Sequence, residues 1–376
     1  MKNPMTIANR ARIFLFAAVG SFALLAPSSV FGQSPYTWNP LAAGPFSWND
    51  DANWSGTGFP NAIGDVASMN VNLSANQVVN LNQAITVGSL TIGDNSGAQT
   101  ATLNPNGGSL TFDVASGNAS LTRTATGTGA VTISSGITLN DNLAVSLASG
   151  TATSTMTLSG VIAGASTGIT KTSGTLTLAL SGNNTYSGVT AINTGVVAIS
   201  NNNALGATGS GNNTTIAATG SLTTGGHLQL SGGINSAESI TITGTTETSG
   251  FNGAIRNISG NNTLSGNIVL SSLTNGVRFD SAAGNLILSG NVSQTGSSQS
   301  FSLGPASGST ITVSNPIANN GGAFQTLSSG VNGTAGTTIL AAVNGTGIGA
   351  TNVAQNSTLQ LGVTDALNTT ASLSVA

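Results

Sequence analysis

The sequence predicts an all-β chain built as a β-solenoid, a stack of coils made of short parallel strands, and three observations carry that expectation. Gly supplies 51 of 376 residues while only 7 side chains are basic and 10 acidic. Such a chain has too little charge to be disordered and too few Glu, Lys and Arg for solvated helices. From about residue 66 onward, short segments such as Ile85-Thr86-Val87, Leu176-Thr177-Leu178 and Ile240-Thr241-Ile242 alternate at period two between Gly, Asn and Ser turn formers. A Leu/Ile-Ser-Gly tag recurs with its apolar residue at 158, 180, 230, 258, 264 and 288, mostly at one or two multiples of about 25 residues.

The first element in chain order is a leader. Lys2, Arg10 and Arg12 precede an apolar run from Ile13 to Ala26, Pro27 and Ser28 end it, and Val30 and Gly32 stand at −3 and −1 before Gln33. This layout predicts a cleaved secretory signal peptide over residues 1–32. The competing reading, a membrane anchor, needs ~20 apolar residues, and this run has only about 14. Cleavage leaves Arg123, Lys171, Arg256 and Arg278 against ten acids, a net charge of −6. With no Cys, neither a disulfide framework nor a Cys-based zinc site is available. The absence of a basic patch argues against nucleic acid as a partner, and no later stretch is long and apolar enough to span a membrane.

Residues 33–65 form a different element. Trp38, Trp48 and Trp54 lie here with Tyr36, Phe46 and Phe59, half of the twelve aromatics that follow residue 32. A solenoid needs its open end covered, so these rings are expected to form an aromatic-rich N-terminal cap; an exposed sugar-stacking face is the alternative. Asp50 and Asp51 with Asn49 and Asn53 make an oxygen-rich loop, but without the spacing and terminal Glu of a calcium loop.

Residues 66–376 supply the coils. A coil of ~20–25 residues cannot bury its apolar side chains alone, but stacked coils share a continuous core, and the length allows about 14–17 of them. Asn and Gly suit the corners and Thr the outer face. An array of β-sandwich modules competes with this architecture, although each module would be expected to hold its own buried aromatic. The chain closes at Ser372–Ala376 in what reads as strand, without a polar cap, so its C-terminal end is expected to be incomplete.

The stretch 160–206, GVIAGASTGITKTSGTLTLALSGNNTYSGVTAINTGVVAISNNNALG, resembles the autotransporter-associated β-strand repeat. The matching residues are Lys171, Gly174, Leu176, Leu178, Ser181, Gly182, Asn183, Asn184, Thr185, Tyr186, Gly188, Thr190, Ile192, Asn193, Gly195, Ala204, Leu205 and Gly206. Residues 251–270 and 361–373 look like partial copies, and 48–70 resembles the N-terminal portion common in exported proteins with this repeat. The resemblance implies a passenger-type right-handed β-helix, secreted or held at the bacterial surface in association with the outer membrane. The family's usual export partner, a C-terminal barrel or sorting signal, is not visible; residues 325–376 contain no aromatic for a barrel girdle.

Chemically capable residues are sparse. His227, the one histidine, follows a Gly pair and is expected to be an exposed strand or corner residue, since a zinc site needs further His or Cys. Arg278 and Asp280 flank Phe279 and can share one strand face; a surface ion pair is expected there rather than a catalytic dyad. No phosphate loop is present, and no catalytic, cofactor-binding or metal residue is assigned. The expected function is a structural or adhesin-like scaffold without catalysis, with extracellular glycans or other surface proteins as partners. A polysaccharide-binding or polysaccharide-degrading β-helix is the alternative.

Overall fold

The computed structural model describes residues 35–123, 127–147, 155–219, 225–244, 253–273, 276–295, 300–319, 324–329, 335–344, 348–367 and 372–375. The leader of residues 1–32 lies outside them.

Period-two alternation makes the strands. In Leu143–Leu147 the side chains of Leu143, Val145 and Leu147 are buried, and Ala144 and Ser146 face outward. Each turn runs through up to three such strands: Val66–Val71, then Gln77–Asn80, then Ala84–Val87, after which Ser89–Asp94 begins the next turn beside Val66–Val71. The first face is a 12-stranded sheet from Tyr36–Thr37 to Ile317–Asn319, and the second a 14-stranded sheet from Phe46–Ser47 to Leu373–Val375. The third face consists of a four-stranded and a six-stranded sheet. No strand occupies it between Ile162–Ala163 and Asn235–Ser236, where residues 181–189 and 200–213 form the wall. The pairing is parallel throughout these sheets, the geometry of a parallel β-solenoid. The one helical element among the described residues is a single 3-10 turn, Asp51–Asn53.

Register places like on like. Leu178, Val197, Leu228, Ile255, Phe279 and Leu303 are successive partners on the second face, and all are buried. The repeated tag belongs to two faces. Leu158, Leu180 and Leu230 end second-face strands, whereas Leu264 and Leu288 end third-face strands. The short interval between Ile258 and Leu264 is therefore a step around one turn, not a repeat.

The aromatic cluster sits in the first turn, beside the terminal strands of two sheets. Trp38, Trp48 and Trp54 are all at most 2% exposed. Trp54 meets Trp38 and Trp48 edge-on, with ring centroids 4.9 and 4.7 Å apart. Each indole N–H has an acceptor: Gln77 Oε1, the Pro60 carbonyl and the Trp48 carbonyl respectively. None of the three indole rings is presented to solvent, while Tyr36, Phe46 and Phe59 are partly buried against the core. Toward the C-terminus Leu361, Leu373 and Val375 are 49%, 56% and 72% exposed.

Phe279 packs edge-on against Phe301 one turn away, at 5.0 Å between centroids. Phe279→Ala should therefore cost about 3–5 kcal/mol, read as a lower urea midpoint. A midpoint equal to that of the unmodified chain would contradict the core placement of this ring.

Candidate functional site

The repeat at 160–206 is where sequence and chemistry converge, and its residues are consumed by the wall itself. Lys171 sits at an inward position of Ile169–Ser173 and is fully buried. Its Nζ donates to the carbonyls of Gly174 and Thr194, both at 2.7 Å, and of Ser173 at 3.3 Å. Burial pulls its pKa down to about 8. The carbonyls come together because Gly174 and Gly195 take positive φ angles of 84° and 69°, and a side chain on Gly195 would collide with Nζ. Arg123 fills the same role at the corner lying two turns earlier. It is buried, and its Nη2 donates to the carbonyls of Gly127 and Gly129.

Leu176, Leu178, Ile192 and Leu205 fill the core. Gly182 and Gly188 lie against the backbone of Gly160 and Thr167, too close for a side chain. Ser181 and Thr185 donate their backbone N–H groups to the preceding turn, and Asn183 accepts from the Asn203 side chain on the outside. Gly206, at a φ of 96°, packs on the buried Tyr186 ring. The buried Asn184 ties three turns together: its Oδ1 accepts from the Ile162 N–H and its Nδ2 donates to the Ala204 carbonyl. Asn344 does the same with the Ile317 N–H and the Ala366 carbonyl, and Ala366 lies in the C-terminal partial copy. Asn262, in the other partial copy, accepts from the Ile234 N–H and donates to the Ser259 carbonyl of its own turn. Phe251, Asn252 and residues 368–371 of those copies lie outside the described residues.

A second buried polar group adjoins Tyr186. The Tyr186 hydroxyl hydrogen-bonds Thr190 Oγ1 at 2.6 Å, and Thr190 Oγ1 donates to the Leu205 carbonyl. Thr214, the partner of Thr190 in the next turn, donates its hydroxyl to Glu238 Oε1 at 3.1 Å. Burial pushes the Glu238 carboxyl up to about 7, against the opposing Thr214 hydrogen bonds. The Thr214 hydroxyl that bonds the Glu238 carboxyl lies 24 residues away in sequence and is brought to it by register.

On the second face, register gathers residues that are far apart in sequence. Arg256, Asp280 and Gly304 are successive outward partners, and His227 and Arg278 occupy the neighbouring outward column. Arg278 Nε donates to Asp280 Oδ1, and Asp280 Oδ2 accepts from the Gly253 N–H at 2.7 Å. His227 Nδ1 lies 3.0 Å from the carbonyl of that same Gly253. Two expectations are corrected here. The Arg278–Asp280 pair is buried rather than on the surface, because the side chains lie flat over Gly304, where a Cβ would come within 2.6 Å of both. His227 is buried rather than exposed. Gly226 packs directly on the Ile192 carbonyl and sets the imidazole against the Gly253 backbone.

The cluster therefore holds three basic or imidazole side chains around one carboxylate. Among the described residues no group of His, Cys, Asp and Glu is placed to hold a metal ion. In the Asp50–Asp51 loop, Asp50 caps the 3-10 turn by accepting from the Ala52 N–H, and Asn53 donates to the Ser47 carbonyl. Asp94 is likewise structural. Burial alone would raise its pKa, but the N–H groups of Gln99, Ser96, Gly97 and Leu73 outweigh that and hold it below the usual carboxylate range.

A groove of about 470 Å³ lies on the outside at the corner between the third and first faces, lined by uncharged residues that include Asn118, Asn142, Ser187 and Asn212. Among the described residues no helix is long and apolar enough to cross a membrane. No family model, curated protein or solved structure matches the chain.

Glu238 gives this interior a pH signature. Its folded pKa of about 7 exceeds its ordinary 4.5, so the fold retains a proton that the unfolded chain has lost between those values. The associated stability is complete at low pH and declines as pH rises through that window. Glu238→Gln should match the parent near pH 4, exceed it by roughly 2–3 kcal/mol above pH 7, and flatten the slope between. A parent stability that rises across this window would contradict the assignment.

Proposed function

We propose that this chain is an exported β-helix passenger of the autotransporter-associated repeat type, acting as a secreted or cell-surface, adhesin-like scaffold without catalysis. The observation that carries this reading is the use made of the few reactive side chains. Lys171 and Arg123 hold corner carbonyls, Asn184, Asn262 and Asn344 hold strand ends, and Asp94 and Asp50 organise turns. A right-handed coil, cleavage before Gln33 and a capping role for the Trp38–Trp48–Trp54 cluster belong to the same proposal. Capping is supported by the burial of all three rings beside the terminal strands.

The alternative, a polysaccharide-degrading β-helix, has its best support in the Arg256–Arg278–Asp280–His227 cluster. Glycoside hydrolysis draws on two carboxyl groups, one as acid and one as base or nucleophile. The cluster offers Asp280 alone, already engaged by Arg278 and the Gly253 N–H and buried beneath the surface.

Expression of the full sequence in a Gram-negative host should deliver protein whose N-terminal residue is Gln33, and that protein should turn over none of a panel of neutral and acidic polysaccharides. Retention of residues 1–32 in the cytoplasm would overturn the export half of the proposal. Turnover abolished by Asp280→Asn would overturn the scaffold half.

A further inference from the structure

We propose that the groove between the third and first faces is a binding site for an extended, uncharged polysaccharide. The proposal rests on the scaffold reading above and names the ligand class that the scaffold would hold. The groove begins beside three turns that carry third-face strands and runs into the two turns, those of Ser187 and Asn212, that omit them. Its wall is drawn from the corner residues of five successive turns: Asn118, Asn142, Ser166, Ser187 and Asn212, with Ser210 at the rim. At ~4.8 Å per turn these groups span about 19 Å along the stack. Consecutive sugars of an extended glycan advance by a comparable distance, so one hydroxyl-bearing ring can face each turn.

The hydrogen-bonding state of the lining supports this. Elsewhere on the surface, side-chain amides and hydroxyls pair across turns, as in Asn80 with Asn104, Asn82 with Asn106 and Asn183 with Asn203. In the groove Asn142 Oδ1 and Ser187 Oγ accept from the Gly168 and Ser166 N–H groups, while the side chains of Asn118, Ser210 and Asn212 make no hydrogen bond within the described protein. They present donors and acceptors in a concave surface, the arrangement that matches sugar hydroxyls. No charged side chain lines the groove, so nothing there compensates the carboxylates of an acidic polysaccharide. Val189, 37% exposed, offers an apolar contact for the C–H face of a ring.

The test is affinity electrophoresis of the exported protein in gels containing soluble β-glucan, galactomannan or polygalacturonate. Retardation by at least one neutral polymer and none by polygalacturonate is expected. The double variant Asn118→Ala/Asn212→Ala should bind roughly tenfold more weakly, as two lost hydrogen bonds imply. Ser210→Trp, which fills the groove, should abolish retardation, and both variants should keep the parent circular dichroism. No retardation by either neutral polymer, equal retardation by polygalacturonate, or variants that bind like the parent would each overturn the proposal. Absence of binding together with absence of turnover removes the glycan site and leaves the scaffold reading standing. Cleavage of a polymer removes the scaffold reading itself.

Discussion

The parallel backbone ladder between turns governs this molecule. Each peptide group in a strand bonds to the turn before and the turn after, so each side chain is held ~4.8 Å from its counterpart in the next turn. Apolar residues gain from that stacking, as in the column from Leu178 to Leu303. Amides gain as well, since an Asn donates to the acceptor of the Asn above it, as in Asn106 to Asn82. Like charges held at that spacing would repel, and opposite charges would have to alternate turn by turn. The scarcity of charge in the sequence follows from the ladder.

The ladder cannot serve the corners. Where the chain leaves a strand, carbonyls point into the core and need donors, because an unsatisfied buried carbonyl costs about 1–3 kcal/mol. The molecule meets this need with side chains of high donor capacity: Lys171 and Arg123 between the first and second faces, and the amides of Asn184, Asn262 and Asn344 at the third. Glycines of positive φ such as Gly174 and Gly195 bring those carbonyls within reach. Residues that in an enzyme would meet a substrate are thereby turned inward, and the surface is left to Ser, Thr and Asn. The outward groove inherits that neutral chemistry, which is why a neutral glycan suits it.

Much of the architecture was legible in the sequence, because period-two alternation and the ~25-residue spacing report the pleat and the turn directly. Trp38, Trp48 and Trp54 were legible as a cluster by composition alone. The face to which each Leu-Ser-Gly tag belongs was not, since Leu230 and Leu264 carry the same tripeptide on different walls. Nor was the burial of His227 and the Arg278–Asp280 pair. Both depend on partners in other turns, Gly253 and Gly304, and local sequence does not contain the register that brings them together. The inward turn of Lys171 was visible only as one letter of a repeat. Its physical reason, three carbonyls at one corner, required the positions of two glycine turns.

Register is the central claim, and a distance series along one outward column tests it most directly. Ser120, Ala144, Thr170, Ala191, Thr215, Thr241 and Val269 are successive partners on the first face. The chain has no native Cys, so pairs of introduced spin labels report without interference. Electron–electron distance measurements from position 120 to positions 215, 241 and 269 should give about 19, 24 and 29 Å, one turn spacing of ~4.8 Å per step. Distances that do not rise by one such step between successive positions would contradict the stack.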